Sequence, residues 1–347
     1  MNVKIINGGL MTTVQDMGRT GYQASGMQVS GVMDQYSAAI ANALVDNDKY
    51  AAVLETTFLG PELEAESDCL VAVAGGSPDI LIDGQAADCY RSLVLRKGQK
   101  LKFTGMNHGM RSYIAIAGGW EVPPVLGSRS TNLKLKIGGL DGRKLAAGDV
   151  LPVGEPSGIA REIIAGTKPA RITTMTQQPG DVTDIRVVLG PQDNYFDDEI
   201  IKKVFGKSIY TIANESDRMG YRLEGEPIKR RDAKDMITDG IVFGSIQIPP
   251  NGQPIVMMAD HQTTGGYPKI ATVISADLPI LAQCTPGMKI RFCITSVAEA
   301  QTIYIEYVKK LAARLEEIHH SAVKQSAIKN FNLKINGQLF QVSVEEI

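Results

Sequence analysis

Between Asp260 and Lys269 the chain reads Asp-His-Gln-Thr-Thr-Gly-Gly-Tyr-Pro-Lys. This short run sets a carboxylate, an imidazole, an amide, two hydroxyls, a phenol and an ammonium around a Gly-Gly turn. Gln262, Thr263, Thr264 and Tyr267 can grip a small polar ligand, and loops carried on a rigid sheet are where such sites sit. The plainer alternative is a solvated hairpin tip. His261, with an ordinary pKa of about 6.5, can pass protons at neutral pH, and Asp260 stands beside it. A second cluster, Ser216-Asp217-Arg218-Met219-Gly220-Tyr221-Arg222, puts two guanidiniums and a carboxylate beside a glycine. A guanidinium is a planar fork that pairs bidentately with carboxylates, so this turn suits an acid substrate. An Asp217–Arg218 pair bracing its own turn is the other reading. A third cluster, Gly127 to Asn132, offers Arg129 with the hydroxyls of Ser128, Ser130 and Thr131.

Strands must carry these loops. Apolar runs at Cys69 to Ala74, Ser92 to Leu95, Arg111 to Ala117 and Ile185 to Leu189 are strand candidates, several apolar throughout as strands buried on both faces are. Ile241 to Ile248, Pro254 to Ala259, Ile270 to Ser275 and Lys289 to Thr295 follow. Asp83-Gly84 and Pro249-Pro250-Asn251-Gly252 read as hairpin turns, because Asp-Gly and Asn-Gly accept positive φ. Three helices are expected: one capped by Asp34 and running to about Leu44, one over Pro191 to Phe205, and one after Ser296. The last opens with a capping box to Glu299 and carries an apolar stripe of Ile303, Tyr307, Leu311, Leu315 and Ile318. That stripe predicts docking on the chain's own core. The expected fold class is mainly β, a barrel or sandwich pattern with a few short helices and a C-terminal amphipathic helix. Gly154 to Gly180 reads as the linker between two lobes. A faint echo relates them: Asp16-Met17-Gly18-Arg19-Thr20-Gly21-Tyr22 in the first, Asp217 to Arg222 in the second.

Composition narrows the function. The 347 residues are 44% hydrophobic and 21% charged, with a net charge of -2, so a dominant phosphate-binding surface is excluded and no nucleic-acid partner is expected. No run approaches the roughly 18 apolar residues of a membrane span. No secretory signal opens the chain, and Cys69, Cys89, Cys284 and Cys293 are scattered without a C-x-x-C pair, so reduced thiols, a cytoplasmic setting and no metal site are expected. No serine or cysteine sits in a nucleophile elbow, and neither a phosphate loop nor a dinucleotide glycine pattern occurs. His108 reads as a loop residue, and His319 and His320 as exposed helix residues.

The motifs GLMTTVQDMGRTGY (9–22), SGVMDQYS (30–37), ETTFLGPELE (55–64) and VLGSRST (125–131) resemble one family. GGLDGRKL (138–145), SDRMGYRLEG (216–225), TDGIVFGSIQIPPNGQPIVMMAD (238–260) and HQTTGGYPKIATV (261–273) continue the likeness, which covers nearly all of residues 3 to 295. This is the biotin-dependent carboxyltransferase family, also called allophanate hydrolase subunit 2, KipA-like or the 5-oxoprolinase C subunit. The resemblance implies two cyclophilin-like β-barrel lobes, residues 1–165 and 180–295, with a cleft between them; the residues themselves predict a helix at 296–328 and a hairpin tail at 329–347, where the chain departs from the family pattern. It implies an enzyme subunit, inactive alone, of an ATP-dependent 5-oxoprolinase that opens 5-oxoproline to glutamate. Its partners would be a KipI-like protein (allophanate hydrolase subunit 1) and a LamB/YcsF-like protein. A carboxyltransferase served by a separate carboxybiotin carrier is the first alternative, its substrate urea or a similar small amide. A non-enzymatic antagonist that sequesters a KipI-like kinase inhibitor is the second.

Within the cleft, the resemblance assigns Gln262, Thr263, Thr264 and Tyr267 to hold an amide, with Arg129, Ser130, Asp217 and Arg218 orienting a carboxylate or second substrate. Asp260 or His261 would carry the proton. No cofactor is expected to be bound covalently: ATP acts at the level of the complex, and biotin, if used, arrives on another protein. The tail alternates around Asn336-Gly337, a hairpin signature resembling the opening strands of a biotinyl carrier domain, but no Ala-Met-Lys-Met acceptor is present.

Overall fold

The structure, a computed structural model, describes residues 1–168, 170–231, 236–324, 328–335 and 338–345. Residues 2–153 build a nine-stranded sheet whose main path runs Met11–Gln15, Val53–Thr57, Lys100–Ile116, Glu62–Ala65, Asn2–Asn7, Val150–Pro152. The long strands Cys69–Ile82 and Lys100–Ile116 pair antiparallel, with register shifts near Gly75 and Ser77. Their uninterrupted apolar character has a simple cause. Successive strand residues point to opposite faces, and both faces are covered. Cys69, Val71 and Val73 enter one core with Trp120, while Leu70, Ala72 and Ala74 pack under helix α1 (Gln35–Leu44).

Residues 182–294 close into a seven-stranded barrel: Val182–Leu189, Lys269–Val273, Ser245–Gln247, Ile255–Met257, Gly220–Glu224, Ile209–Ile212 and Lys289–Ile294, the last pairing parallel with the first. Ile185, Tyr210, Tyr221, Ile246, Val256 and Phe292 fill it. Met33, from the first sheet's lobe, belongs to this same core. The lobes are therefore sealed together by apolar packing as well as by the polar contacts described below.

Asp34 caps α1, its Oδ1 accepting from the Ser37 N–H at 2.9 Å and its Oδ2 from the Ser37 hydroxyl at 2.6 Å. Helices α2 (Gly158–Ile164), α3 (Asp198–Lys207) and α4 (Leu278–Gln283) follow. Helix α5 (Val297–Lys324) opens with the capping box, Glu299 N–H donating to Ser296 Oγ and Ser296 N–H to Glu299 Oε2. Its stripe turns back onto the first lobe: Ile318 is buried there, Leu311 and Leu315 are half-buried, and Tyr307 meets Tyr36 of α1 at 5.7 Å. The Asp83-Gly84 turn has positive φ at both residues (49° and 83°), the geometry its sequence favours.

Several expectations are corrected. Ile241 to Ile248 is not one strand, because Gly244 at φ 90° turns the chain between Asp239–Gly240 and Ser245–Gln247. Pro191 to Phe205 splits into a short 3-10 turn at Asp193–Tyr195 and α3. The stretch 154–180 is no loose linker. It contains α2, with Ala160 and Ile163 buried, and Arg171 is 2% exposed where it donates to Ala43 O and pairs with Asp46 at 2.6 Å. His319 is exposed on α5 as expected, its Nδ1 3.2 Å from Arg171, whereas His108 lies within the strand Lys100–Ile116. The C-terminal helix is described to Lys324, and strands Ile328–Ile335 and Gln338–Glu345 pair antiparallel beyond it. The Asn336-Gly337 turn lies outside the described residues.

Candidate functional site

Glu55 of the first lobe stands at the centre of the seam between lobes. Its Oε2 accepts from the Met33 N–H at 2.8 Å, and its Oε1 accepts from Arg218 Nη1 of the second lobe. Arg218 also holds Asp260 in a two-pronged pair, Nε to Oδ2 at 2.9 Å and Nη2 to Oδ1 at 3.1 Å, and donates to Gly31 O of the first lobe at 2.6 Å. Burial opposes the Arg218 charge, yet Asp260 and Glu55 together hold its pKa above the ordinary value. Arg111 crosses the other way, donating to Tyr221 Oη and, at 2.5 Å, to Ala282 O. Gln283 closes the seam, its Oε1 accepting from the Met110 and Arg111 N–H groups and its Nε2 donating to Asp34 and Arg111 O. A network this deep is sustained only when nearly every group has a partner.

Arg111 Nε lacks a hydrogen-bond partner among the described residues, and Arg19 lacks partners at two of its nitrogens. Arg19 is 1% exposed, and one nitrogen donates to Ser130 O, but Nε and Nη1 have no partner among the described residues. Burial lowers its pKa, opposed by the charges of Asp16 and, from the second lobe, Asp260. The loop around it is tightly specified. Asp16 accepts from the hydroxyls of Ser128 and Ser130, each at 2.6 Å, and from the Arg129 N–H at 2.6 Å. Gly138, at φ 69°, lies so close that an added Cβ would sit 2.0 Å from Ser130 O and 2.6 Å from Arg19 Nη2. Only glycine fits there.

His261 follows Asp260 directly and is 3% exposed. Its Nδ1 lies 2.7 Å from the carbonyl of Gln262. A carbonyl only accepts, so Nδ1 carries the hydrogen and Nε2 is left as the free acceptor, with no partner among the described residues. Burial lowers the His261 pKa from its ordinary value, partly opposed by the Gln262 carbonyl and Asp260, which keeps the ring neutral and basic at Nε2.

The expected site residues divide accordingly. Arg218, Asp260 and His261 meet at the seam, and Ser130 reaches it through Arg19. Arg218 has all three guanidinium nitrogens engaged by protein groups, so it braces the lobes rather than presenting a free fork to a substrate, which corrects the substrate-orienting reading. Both Asp260 oxygens are taken by that same guanidinium, whereas His261 Nε2 has no partner among the described residues. Asp217 closes its turn on the Met219 and Gly220 N–H groups at 2.7 and 3.2 Å and not by pairing with Arg218, which is held by Asp260 and Glu55. Asp16 likewise accepts from the Gly18 N–H at 2.8 Å, which gives the echo between lobes a physical content. Arg129 is tied to Val122 O and Glu121 instead of the seam. Tyr267 turns away, into a groove of about 330 Å³ made by second-lobe residues including Arg222 and Gln253. Thr264 is exposed in a two-residue ladder with Gly240, while Gln262 and Thr263 are half-buried beside His261. Sequence reasoning missed Arg19, Asp16, Glu55, Arg111 and Gln283 as site residues. The echo of the 16–22 turn in the 217–222 turn was the available signal for the first two.

Among the described residues, no group of three His, Cys, Asp or Glu could hold a metal ion, and no helix is long and apolar enough to cross a membrane. The four cysteines are unpaired, and burial pushes Cys69, Cys89 and Cys284 up to about 12.

Known proteins place this arrangement. The 5-oxoprolinase C subunit of Escherichia coli (strain K12) is 40% identical over 323 residues, 90% of this chain and 98% of that protein. The crystal structure of TTHA0988 superposes with a TM-score of 0.74 at 33% identity, over 84% of this chain and 55% of that one. The urea amidolyase of K. lactis superposes with a TM-score of 0.79 at 28% identity, over 90% of this chain, which spans only 20% of that protein. Residues 25–294 match the family model described as carboxyltransferase domain, subdomain A and B. With its two β lobes and the seam joining them, the chain belongs to that carboxyltransferase family.

Proposed function

We propose that this chain is the C subunit of an ATP-dependent 5-oxoprolinase and that the lobe seam at Arg19 and His261 holds the amide of 5-oxoproline. The observation that carries the assignment is the 40% identity to a 5-oxoprolinase C subunit along 98% of that protein. The geometry supports it with two complementary unspent groups: donor N–H groups on Arg19 and an acceptor nitrogen on His261. His261 Nε2 takes the proton of the lactam N–H, and the charge left behind spreads over nitrogen and carbonyl oxygen. Arg19 Nε and Nη1 stabilise that oxygen, as donors preplaced in a water-poor site do best. Gln262 and Thr263 hold the ring in register. Asp260, Arg218 and Glu55 keep the two halves of the site in position without touching substrate.

ATP chemistry belongs to the partners, a KipI-like protein and a LamB/YcsF-like protein, and this chain is inactive alone. The second reading, a carboxyltransferase acting on urea or a similar amide with a separate carboxybiotin carrier, is favoured by the fold shared with urea amidolyase. Both readings share the same first step, since the deprotonated amide is nucleophilic at oxygen or at nitrogen. Mixing the purified chain with its partners and measuring glutamate discriminates them. Glutamate that requires ATP, 5-oxoproline and this chain supports the first reading; carboxylation that requires a biotinylated carrier supports the second. Neither product would contradict both.

A further inference from the structure

A separate cavity of about 640 Å³ opens on the linker side of the molecule, between α1, residues 174–177, the start of α4, strands Val182–Leu189 and Lys289–Ile294, and α5. Its volume falls in the range of small-molecule sites. We infer that this cavity binds a ring-bearing monocarboxylate.

Two arginines face it, each anchored by one edge. Arg186 gives its backbone N–H, Nε and Nη2 to Asp277, which fixes the guanidinium and leaves Nη1 unspent. Arg314 is tethered through Nη1 to Thr173 and Glu317, leaving Nη2. Anchored donors lose little freedom on binding, so they favour an oxyanion more than mobile ones would. The carboxylates in the wall are already occupied: Asp277 by Arg186, Asp34 by Ser37 and Gln283, and Asp184 by Arg291. Free guanidinium donors and spent carboxylates favour a ligand that brings acceptors. The charges also limit its valence. Two arginines stand against three carboxylates, with Arg291 neutralising Asp184 and Glu317 pairing with Arg314 from outside, so the wall tolerates one added negative charge better than two. Burial raises the Asp34 pKa, which weakens its repulsion. Tyr36 and Tyr307, packed at 5.7 Å with their rings tilted by 51°, supply aromatic surface whose hydroxyls have no protein partner among the described residues, and Ile40 and Ile280 add apolar lining.

The inference does not rest on the 5-oxoprolinase reading, although 5-oxoproline is itself a ring-bearing monocarboxylate. The test is calorimetric titration of the full chain with hippurate, 5-oxoproline, adenosine 5′-monophosphate and inorganic phosphate. Saturable binding of hippurate or 5-oxoproline is expected, and which of the two binds separates a general acid site from one for the complex's own substrate. Binding should weaken about tenfold or more in Arg314→Gln, a half-exposed helix position, through loss of a charge-assisted bond. Hippurate binding should vanish in Thr174→Trp, which fills the mouth from an exposed position. Binding of neither carboxylate, preference for the phosphates, or affinity unchanged in both cavity variants would overturn the inference.

Discussion

Arg19 holds two buried N–H donors that no group among the described residues accepts. A buried donor without a partner costs about 1–3 kcal/mol, and more when charged. Replacing it with a side chain of similar length and no hydrogen-bond donors should therefore leave stability unchanged or higher while removing function. Arg19→Met is expected to keep or raise the thermal midpoint and to reduce turnover of the assembled complex by about 100-fold or more, the usual cost of losing one preplaced oxyanion donor. A fall in both would make Arg19 a structural residue. His261→Gln should cost turnover by about 10²–10⁴-fold, the usual contribution of a positioned base, with the fold retained by circular dichroism. Its burial also fixes a pH dependence. The folded ring has a pKa below the unfolded value of about 6.5, so between those values the unfolded chain binds the extra proton. Stability is present above that window and declines as pH falls through it. Activity should decline on the same acid side, and a rate that rises on acidification would exclude a neutral His261. Imidazole is legible in a sequence because few residues titrate near neutrality. Arg19 was not, because its importance comes from what fails to meet it once the Gly138 loop closes overhead.

At the scale of elements, the seam depends on Glu55, Arg111, Arg218 and Gln283. Glu55→Ala removes one of the two carboxylates that hold buried Arg218 and orphans the Met33 N–H, and should cost about 3–5 kcal/mol in urea unfolding, whereas Gln283→Ala, which orphans the Met110 and Arg111 N–H groups, should cost about 1–3 kcal/mol. If Glu55→Ala proves the milder of the two, the network is not the brace described here. Local elements were legible wherever chemistry is local. The Asp34 cap, the Ser296–Glu299 box and the Asp83-Gly84 turn follow from neighbouring residues alone. Helices α2 and α4 are too short to display a period, and α2 persists because Ala160 and Ile163 are buried against the first lobe. Glu55 and Arg111 lie in strands whose alternation reads as ordinary core, and only the partner lobe turns them into an ionic crossing.

Across the whole molecule, Met33 inserted in the barrel core and the buried ion network make the lobes one cooperative body. Trp120, the single tryptophan, reports on the first lobe alone. Its fluorescence and the far-ultraviolet signal of both lobes should change together in urea, and separate only in Glu55→Ala; separation in the unaltered chain would contradict the coupling. The presence of two lobes was legible in the Gly154 to Gly180 stretch and the internal echo, although that stretch folds around α2 and is no loose linker. How they meet was not, because pairing across a seam leaves no periodic trace in either lobe. The most direct test is glutamate formation from 5-oxoproline and ATP by the chain reconstituted with its KipI-like and LamB/YcsF-like partners. The unaltered chain should yield glutamate, and Arg19→Met should assemble equally well yet yield almost none. Glutamate produced without this chain, or at full rate by Arg19→Met, would contradict a substrate site at the seam.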